Sequence, residues 1–257
     1  GAQFGYGLAW TFLFSFPLMV VIQEVAAEIG RVTGRGIAAN VRRHYPRSLL
    51  FMIVSLLLIA NVINLGADLS AMGAALQLLT GGNAALYTLA FGIICVVLEV
   101  VMPYARYANI LKWSTLSLFT YVAVVMVAGV PWGEALSALV VPDVEWTPAY
   151  ATALVAILGT TISPYLFFWQ AGQEIEEQHR HHARPLFQTP RTAGPELERI
   201  RVDTLTGMAF SSLISLAIVF ATAATLHAKG ITDIQTSSQA AEALRPIAGD
   251  LAFALFA

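Results

Sequence analysis

The chain has 257 residues, 57% of them hydrophobic and 12% charged, with a net charge of −2 and a mean hydropathy of +0.69. A soluble domain carries about 25% charged residues, so this composition calls for a bilayer as solvent and excludes disordered, collagen-like and disulfide-scaffold classes. The mild acidity offers no surface to nucleic acid, and a single cysteine, Cys95, excludes an intrachain disulfide framework or thiolate cluster.

Uncharged runs locate the spans, each long enough for the roughly 20 apolar residues that a crossing helix needs. They predict helices over about 4–27, 48–79, 84–103, 107–130, 148–178 and 202–227, with a seventh beginning at Leu251 and cut at Ala257. Thr80-Gly81-Gly82-Asn83 reads as the turn between the second and third spans. The connection after span one carries Arg31, Arg35, Arg42, Arg43 and Arg47. Arg106 and Lys112 follow span three, and Arg180, Arg184, Arg191, Arg199 and Arg201 follow span five. Only Lys229 and Arg245 lie on the alternate side, so the basic loops, including 179–200, are expected in the cytoplasm. This orientation puts Gly1 outside and leads to the expectation of a missing upstream helix: one transmembrane transporter domain over 1–257, truncated at both ends.

In span one, Gln23, Glu24 and Glu28 form a small polar face that Arg31 or Arg35 could neutralise, as a gate or ion pair. In span two, Asn61, Asn64 and Asp68 recur at i, i+3 and i+7. Asp68 lies 21 residues beyond Arg47, about 31 Å along a helix. A carboxylate at that depth is costly and points to a pathway or gate; the alternative is an interhelical hydrogen-bond network that holds the bundle together.

Span five holds the most informative segment, Gly159-Thr160-Thr161-Ile162-Ser163-Pro164-Tyr165. Pro164 has no N–H for the carbonyl of residue 160 and turns Ser163 away from helical dihedrals. Three hydroxyls, Thr160, Thr161 and Ser163, stand beside that freed carbonyl. Backbone of this kind is tolerated at membrane depth only inside protein or along a watery cavity, and interrupted helices form transporter sites. The other reading is a Pro kink whose carbonyls the same hydroxyls satisfy. In both, the oxygen-only donors suit hard cations such as Mg²⁺, Ca²⁺ or Mn²⁺.

Gln170, Gln173, Glu174 and Glu177 then recur on one helical face as an exit path for cations or as a solvated helix end. His179, His181 and His182 fall in a loop with Pro185, Pro190 and Pro195 and read as a flexible solvated linker. No HExxH, GxSxG, P-loop or CxxC element supports an enzyme, and no motif calls for a cofactor.

Several of these segments resemble the Nramp family of divalent-metal transporters. Gly1-Ala2-Gln3-Phe4-Gly5-Tyr6-Gly7-Leu8-Ala9-Trp10 is similar to the stretch that follows the family's Asp-Pro-Gly-Asn motif. Ile29-Gly30-Arg31-Val32-Thr33-Gly34 resembles the turn after its second helix, and Gly66-Ala67-Asp68-Leu69 its Ala-Thr-Asp-Leu element. Thr161-Ile162-Ser163-Pro164-Tyr165 falls where the family has Met-Pro-His. The resemblance implies an all-α, LeuT-like inverted-repeat fold in part, helices two to seven and the start of eight, in a multi-pass protein of the cell membrane. The upstream helix would carry the metal-binding Asp and Asn.

Three departures resemble the Nramp-related magnesium transporters. Ser163 replaces a metal-coordinating Met, Tyr165 a His tied to proton handling, and Ala71 an acidic residue of the proton pathway. The resemblance therefore implies carriage of Mg²⁺, with Mn²⁺ second, by alternating access without proton coupling. Thr160, Thr161 and Ser163 would face the ion at the Pro164 break, and Asp68, Asn64, Asn61, Tyr165 and Gln170 would serve as pathway or gate. A carrier of an amino acid or other organic solute with the same architecture is the competing expectation.

Overall fold

The structure, a computed structural model, describes residues 1–102, 113 and 118–234. Helices and turns make up the described residues, with no strand among them. Helix is the form that lets a single chain segment satisfy its own backbone in lipid. In chain order these are α1 (Trp10–Thr33), α2 (Ile37–His44), α3 (Arg47–Thr80), α4 (Ala84–Val101), α5 (Phe119–Val127) and α6 (Trp132–Val140), then α7 (Pro148–Thr161), α8 (Pro164–Arg180) and α9 (Ala193–Thr225). Short 3₁₀ turns occupy Pro190–Thr192 and His227–Lys229. Among the described residues, five stretches are long and apolar enough to cross a membrane: Trp10–Thr33, Arg47–Thr80, Ala84–Val101, Pro148–Arg180 and Pro190–Lys229.

The first span starts later than its apolar run suggests. Gly5 adopts φ +52° and the preceding residues close turns through Gly7 N–H to Phe4 O and Ala9 N–H to Tyr6 O, both 2.9 Å. A left-handed residue cannot continue a right-handed helix, so α1 begins at Trp10. At its other end α1 carries Glu24 and Glu28 within the helix and stops only where Gly34 takes φ +63°. The sixth span, by contrast, starts early, at Ala193, because Pro195 falls in the first turn, where its missing N–H costs nothing. Of the expected fourth span, residues 113 and 118–130 are described, with α5 as their helix; the seventh span, and with it Arg106, Lys112 and Arg245, lies outside the described residues.

The chain divides into two compact units, Gly1–Trp10, Ile63–Glu145 and Leu213–Ala257 in one, Thr11–Val62 and Trp146–Ser212 in the other. In the first, Ala9, Val124, Val125, Val130, Ala135, Ala217, Phe220 and Ala221 form a core. Tyr6 and Trp132 meet Phe220 edge-on at 5.8 and 6.3 Å between centroids. α6, which span counting misses, takes part through Ala135. The expected turn between α3 and α4 is present: Gly81 and Gly82 hold φ +76° and +94°. Asn83 caps α4 by accepting from Ala85 N–H at 2.9 Å. Gly73, buried in α3, faces Ala84 and Thr88 so closely that a Cβ would collide with them.

In the second unit α2 packs on α8. The residues after α8 do not form the flexible linker expected around His179, His181 and His182. They dock on the end of α1, whose last carbonyls lack helical donors. Arg31 O accepts from Gln178 Nε2 at 2.7 Å and from Leu186 N–H at 3.3 Å, and Val32 O accepts from Phe187 N–H at 3.3 Å. Leu186 is buried, and Pro185 lies against Gly34.

Candidate functional site

α7 begins on Pro148, with Thr147 Oγ1 accepting from Tyr150 N–H at 3.2 Å. It ends at Thr161, followed by Ile162 at φ −104°, ψ 62° and Ser163 at φ −85°, ψ 126°. Ser163 is extended because the ring of Pro164 disfavours helical backbone before it. Pro164 then opens α8 at its first position, where proline's fixed φ is preorganised. The span is therefore two helices with a two-residue break.

The hydroxyls at the break all turn back along α7. Ser163 Oγ donates to Thr160 O at 2.6 Å and Gly159 O at 3.0 Å and leaves the N-terminus of α8 uncapped by a side chain. Thr160 Oγ1 donates to Ala156 O and Ile157 O, both at 3.0 Å. Thr161 Oγ1 donates to Ile157 O at 2.8 Å and Leu158 O at 3.3 Å. The helix is interrupted, and its hydroxyls donate to the carbonyls of α7, the Thr160 carbonyl included, as in the second reading of this segment. A hydroxyl that spends its proton on a carbonyl keeps its lone pairs, so the oxygens retain acceptor capacity. Ser163 is 1% exposed, Thr161 half-buried and Thr160 exposed.

Tyr165 is half-buried in the first turn of α8, and Gln170 lies further along that helix. Gln170 has a partner the sequence did not supply. Buried Gln23 of α1 donates through Nε2 to Gln170 Oε1 at 3.2 Å and to Leu166 O at 3.4 Å. Gln23 was legible as part of a polar face at the end of span one, but its target on α8 was not. Gly30, two helical turns further along α1, meets the Ala171 backbone of α8 with no room for a Cβ.

At the basic end, four side chains form a ladder joining α1, α8 and α9. Arg31 Nη2 lies 3.1 Å from Glu196 Oε2, Arg199 Nε 3.4 Å from the same oxygen, and Arg199 Nη2 2.7 Å from Glu174 Oε2. Arg31 therefore pairs with Glu196, not with Glu24 or Glu28 as the sequence suggested, because the docked loop brings the start of α9 beside it. Glu174, 5% exposed, is neutralised by Arg199 and is no free attractor for cations. Glu177 bonds His181 Nε2 at 2.9 Å. Arg31, Glu177, His181, Ala183, Glu196 and Arg199 line a cavity of about 340 Å³. Among the described residues no cluster of three His, Cys, Asp or Glu side chains is placed to hold a metal.

On α3, Asn61 and Asp68 are exposed and Asn64 is half-buried. Two of the three side chains of the stripe expected to face a bundle interior are thus exposed, and Gly73 is the buried residue of that helix. Many large apolar side chains around it, Phe51, Leu56, Leu58 and Ile63 among them, are exposed too, as lipid-facing surface is.

The family model described as "Natural resistance-associated macrophage protein-like", Nramp, matches residues 1–257. The chain belongs to the Nramp family. Nramp proteins are membrane transporters, not enzymes, with a LeuT-like fold of which this chain forms part. Among similar curated proteins is a "Divalent metal cation transporter MntH" of Deinococcus radiodurans, 29% identical over 271 residues and covering 100% of this chain. Proteins of the same name from Mesorhizobium japonicum and Klebsiella pneumoniae are each 26% identical, again over 100% of the chain. The chain spans 58%, 56% and 60% of the length of these three relatives.

Proposed function

We propose that the full-length protein moves divalent metal cations across the membrane by alternating access, and that the break between α7 and α8 contributes part of the ion path. The observation that carries this reading is buried Ser163, in extended backbone between two helices, with its oxygen beside the Thr160 carbonyl at 2.6 Å. The C-terminus of α7 adds the negative end of a helix dipole, which favours a cation. Oxygen donors without sulfur favour Mg²⁺, with Mn²⁺ also accepted. Ser163 in place of the family's Met, with Tyr165 in place of its His, supports the Mg²⁺ preference and transport without proton coupling. The relatives named as divalent metal cation transporters support the substrate class.

Uptake by the full-length protein in proteoliposomes tests the proposal, with Mg²⁺, Mn²⁺ and Ca²⁺ titrated while internal pH is followed. Uptake of Mg²⁺ without acidification is expected, and Ser163→Ala lowers it. Mn²⁺ uptake with strong acidification overturns the hard-ion, uncoupled reading. Flux of an amino acid that no divalent ion inhibits would favour an organic-solute carrier instead.

A further inference from the structure

Between Glu28 and Asp68 the chain has no acidic residue but carries Arg31, Arg35, Arg42, Arg43 and Arg47. Arg31 is buried and paired with Glu196. The other four are exposed, and among the described residues none has a carboxylate within ion-pair distance. Three of them cluster at the end of α2 and the start of α3, beside exposed Tyr45.

Short tethers fix the level of this cluster. Only Gly34, Arg35 and Gly36 separate α2 from α1, and only Tyr45 and Pro46 separate it from α3. Both neighbours are long and apolar enough to cross a membrane, so α2 is held at the bilayer surface. Asn40 fixes its start by donating through Nδ2 to Thr33 Oγ1 and Arg35 O at 3.0 Å and to Gly36 O at 3.2 Å. Ile37, Ala38 and Val41 are half-buried, whereas Arg42 and Arg43 are exposed. The helix is thus anchored, and its basic residues are left for something outside the chain.

We propose that Arg42, Arg43 and Arg47 bind the phosphate groups of anionic phospholipids in the leaflet on the basic side of the membrane. Guanidinium groups grip phosphate oxygens in pairs, and basic residues next to a span gain from the negative potential of such a leaflet. The exposed Tyr45 ring has the amphipathic character that suits the headgroup level. A purely topological role for these arginines requires positive charge alone, whereas headgroup binding requires this charge at this place.

The test uses full-length protein in phosphatidylcholine nanodiscs, with fluorescent phosphatidylglycerol as the probe. Arg42→Gln/Arg43→Gln is expected to weaken phosphatidylglycerol binding by about tenfold or more. The control Arg180→Gln/Arg184→Gln, which removes equal charge from the end of α8 and the loop after it, should leave it unchanged. Thermal unfolding in phosphatidylcholine alone checks that the variants fold. Should the glutamine pair fail to fold, Arg42→Lys/Arg43→Lys carries the test, because its single-point ammonium groups still lower affinity. An equal loss in the control pair would mean diffuse surface charge and would overturn the proposal. So would unchanged binding in the α2 variants, which would leave these arginines a topological role only.

Discussion

Gln23 and Gln170 meet at 3.2 Å, and through the same Nε2 Gln23 also reaches the carbonyl of Leu166, three residues into α8. α1 therefore holds the first two turns of the helix that follows the break. Gln23→Leu keeps the shape but leaves Gln170 without this donor. It should destabilise the full-length protein by about 1–3 kcal/mol, read as a lower thermal unfolding midpoint in detergent, and reduce cation uptake. Unchanged uptake in a folded variant would show that α8 keeps its setting without α1.

Ser163→Met puts a thioether where an alcohol oxygen lies against α7. Sulfur raises affinity for softer ions relative to Mg²⁺, so the ratio of Mn²⁺ to Mg²⁺ uptake should rise. Ser163→Ala, which removes the donor to Thr160 O and Gly159 O, should cost about 1 kcal/mol of stability without favouring Mn²⁺. Parallel uptake assays of both variants separate donor chemistry from helix capping.

Arg199→Ala leaves Glu174 buried without its partner at 2.7 Å. Because Arg199 is itself 41% exposed, solvent screening limits the loss to about 1–3 kcal/mol. The double variant Glu174→Gln/Arg199→Ala should recover much of it, since no buried charge then remains. Thermal unfolding of the three proteins measures the recovery, and its absence would mean that Arg199 acts through Glu196 alone.

Gly30→Ala drives a methyl group into the carbonyl of Ala171. Backbone cannot yield as a side-chain tip can, so overpacking of about 1–3 kcal/mol follows, seen as a lowered unfolding midpoint. Gly172→Ala, in the interior of α8 where nothing lies within reach of a new Cβ, is the matched control and should not lower the midpoint.

What the sequence made legible has local causes. Pro164 interrupts its helix because its own ring removes a donor, and Gly81-Gly82 turns because those two residues adopt positive φ readily. Apolar run length located the five spanning stretches among the described residues for the same reason. The remainder depends on partners distant in sequence. The loop around His181 looked flexible because its Pro and His content is all that neighbours reveal, yet its order comes from Arg31 and Val32, about 150 residues earlier. Arg31 could be read as a partner for Glu28 on its own helix; Glu196 became the partner only through that docking. α2 and α6 are too short to show in a search for spanning runs.

Gln178 of α8 and the segment leaving that helix supply the donors that close the C-terminal end of α1, so these two helices are latched end to end. A rocking motion of α8 must either carry the tip of α1 along or strip three hydrogen bonds from it. Movement at the break is thereby geared to a helix that contains none of the break's own residues.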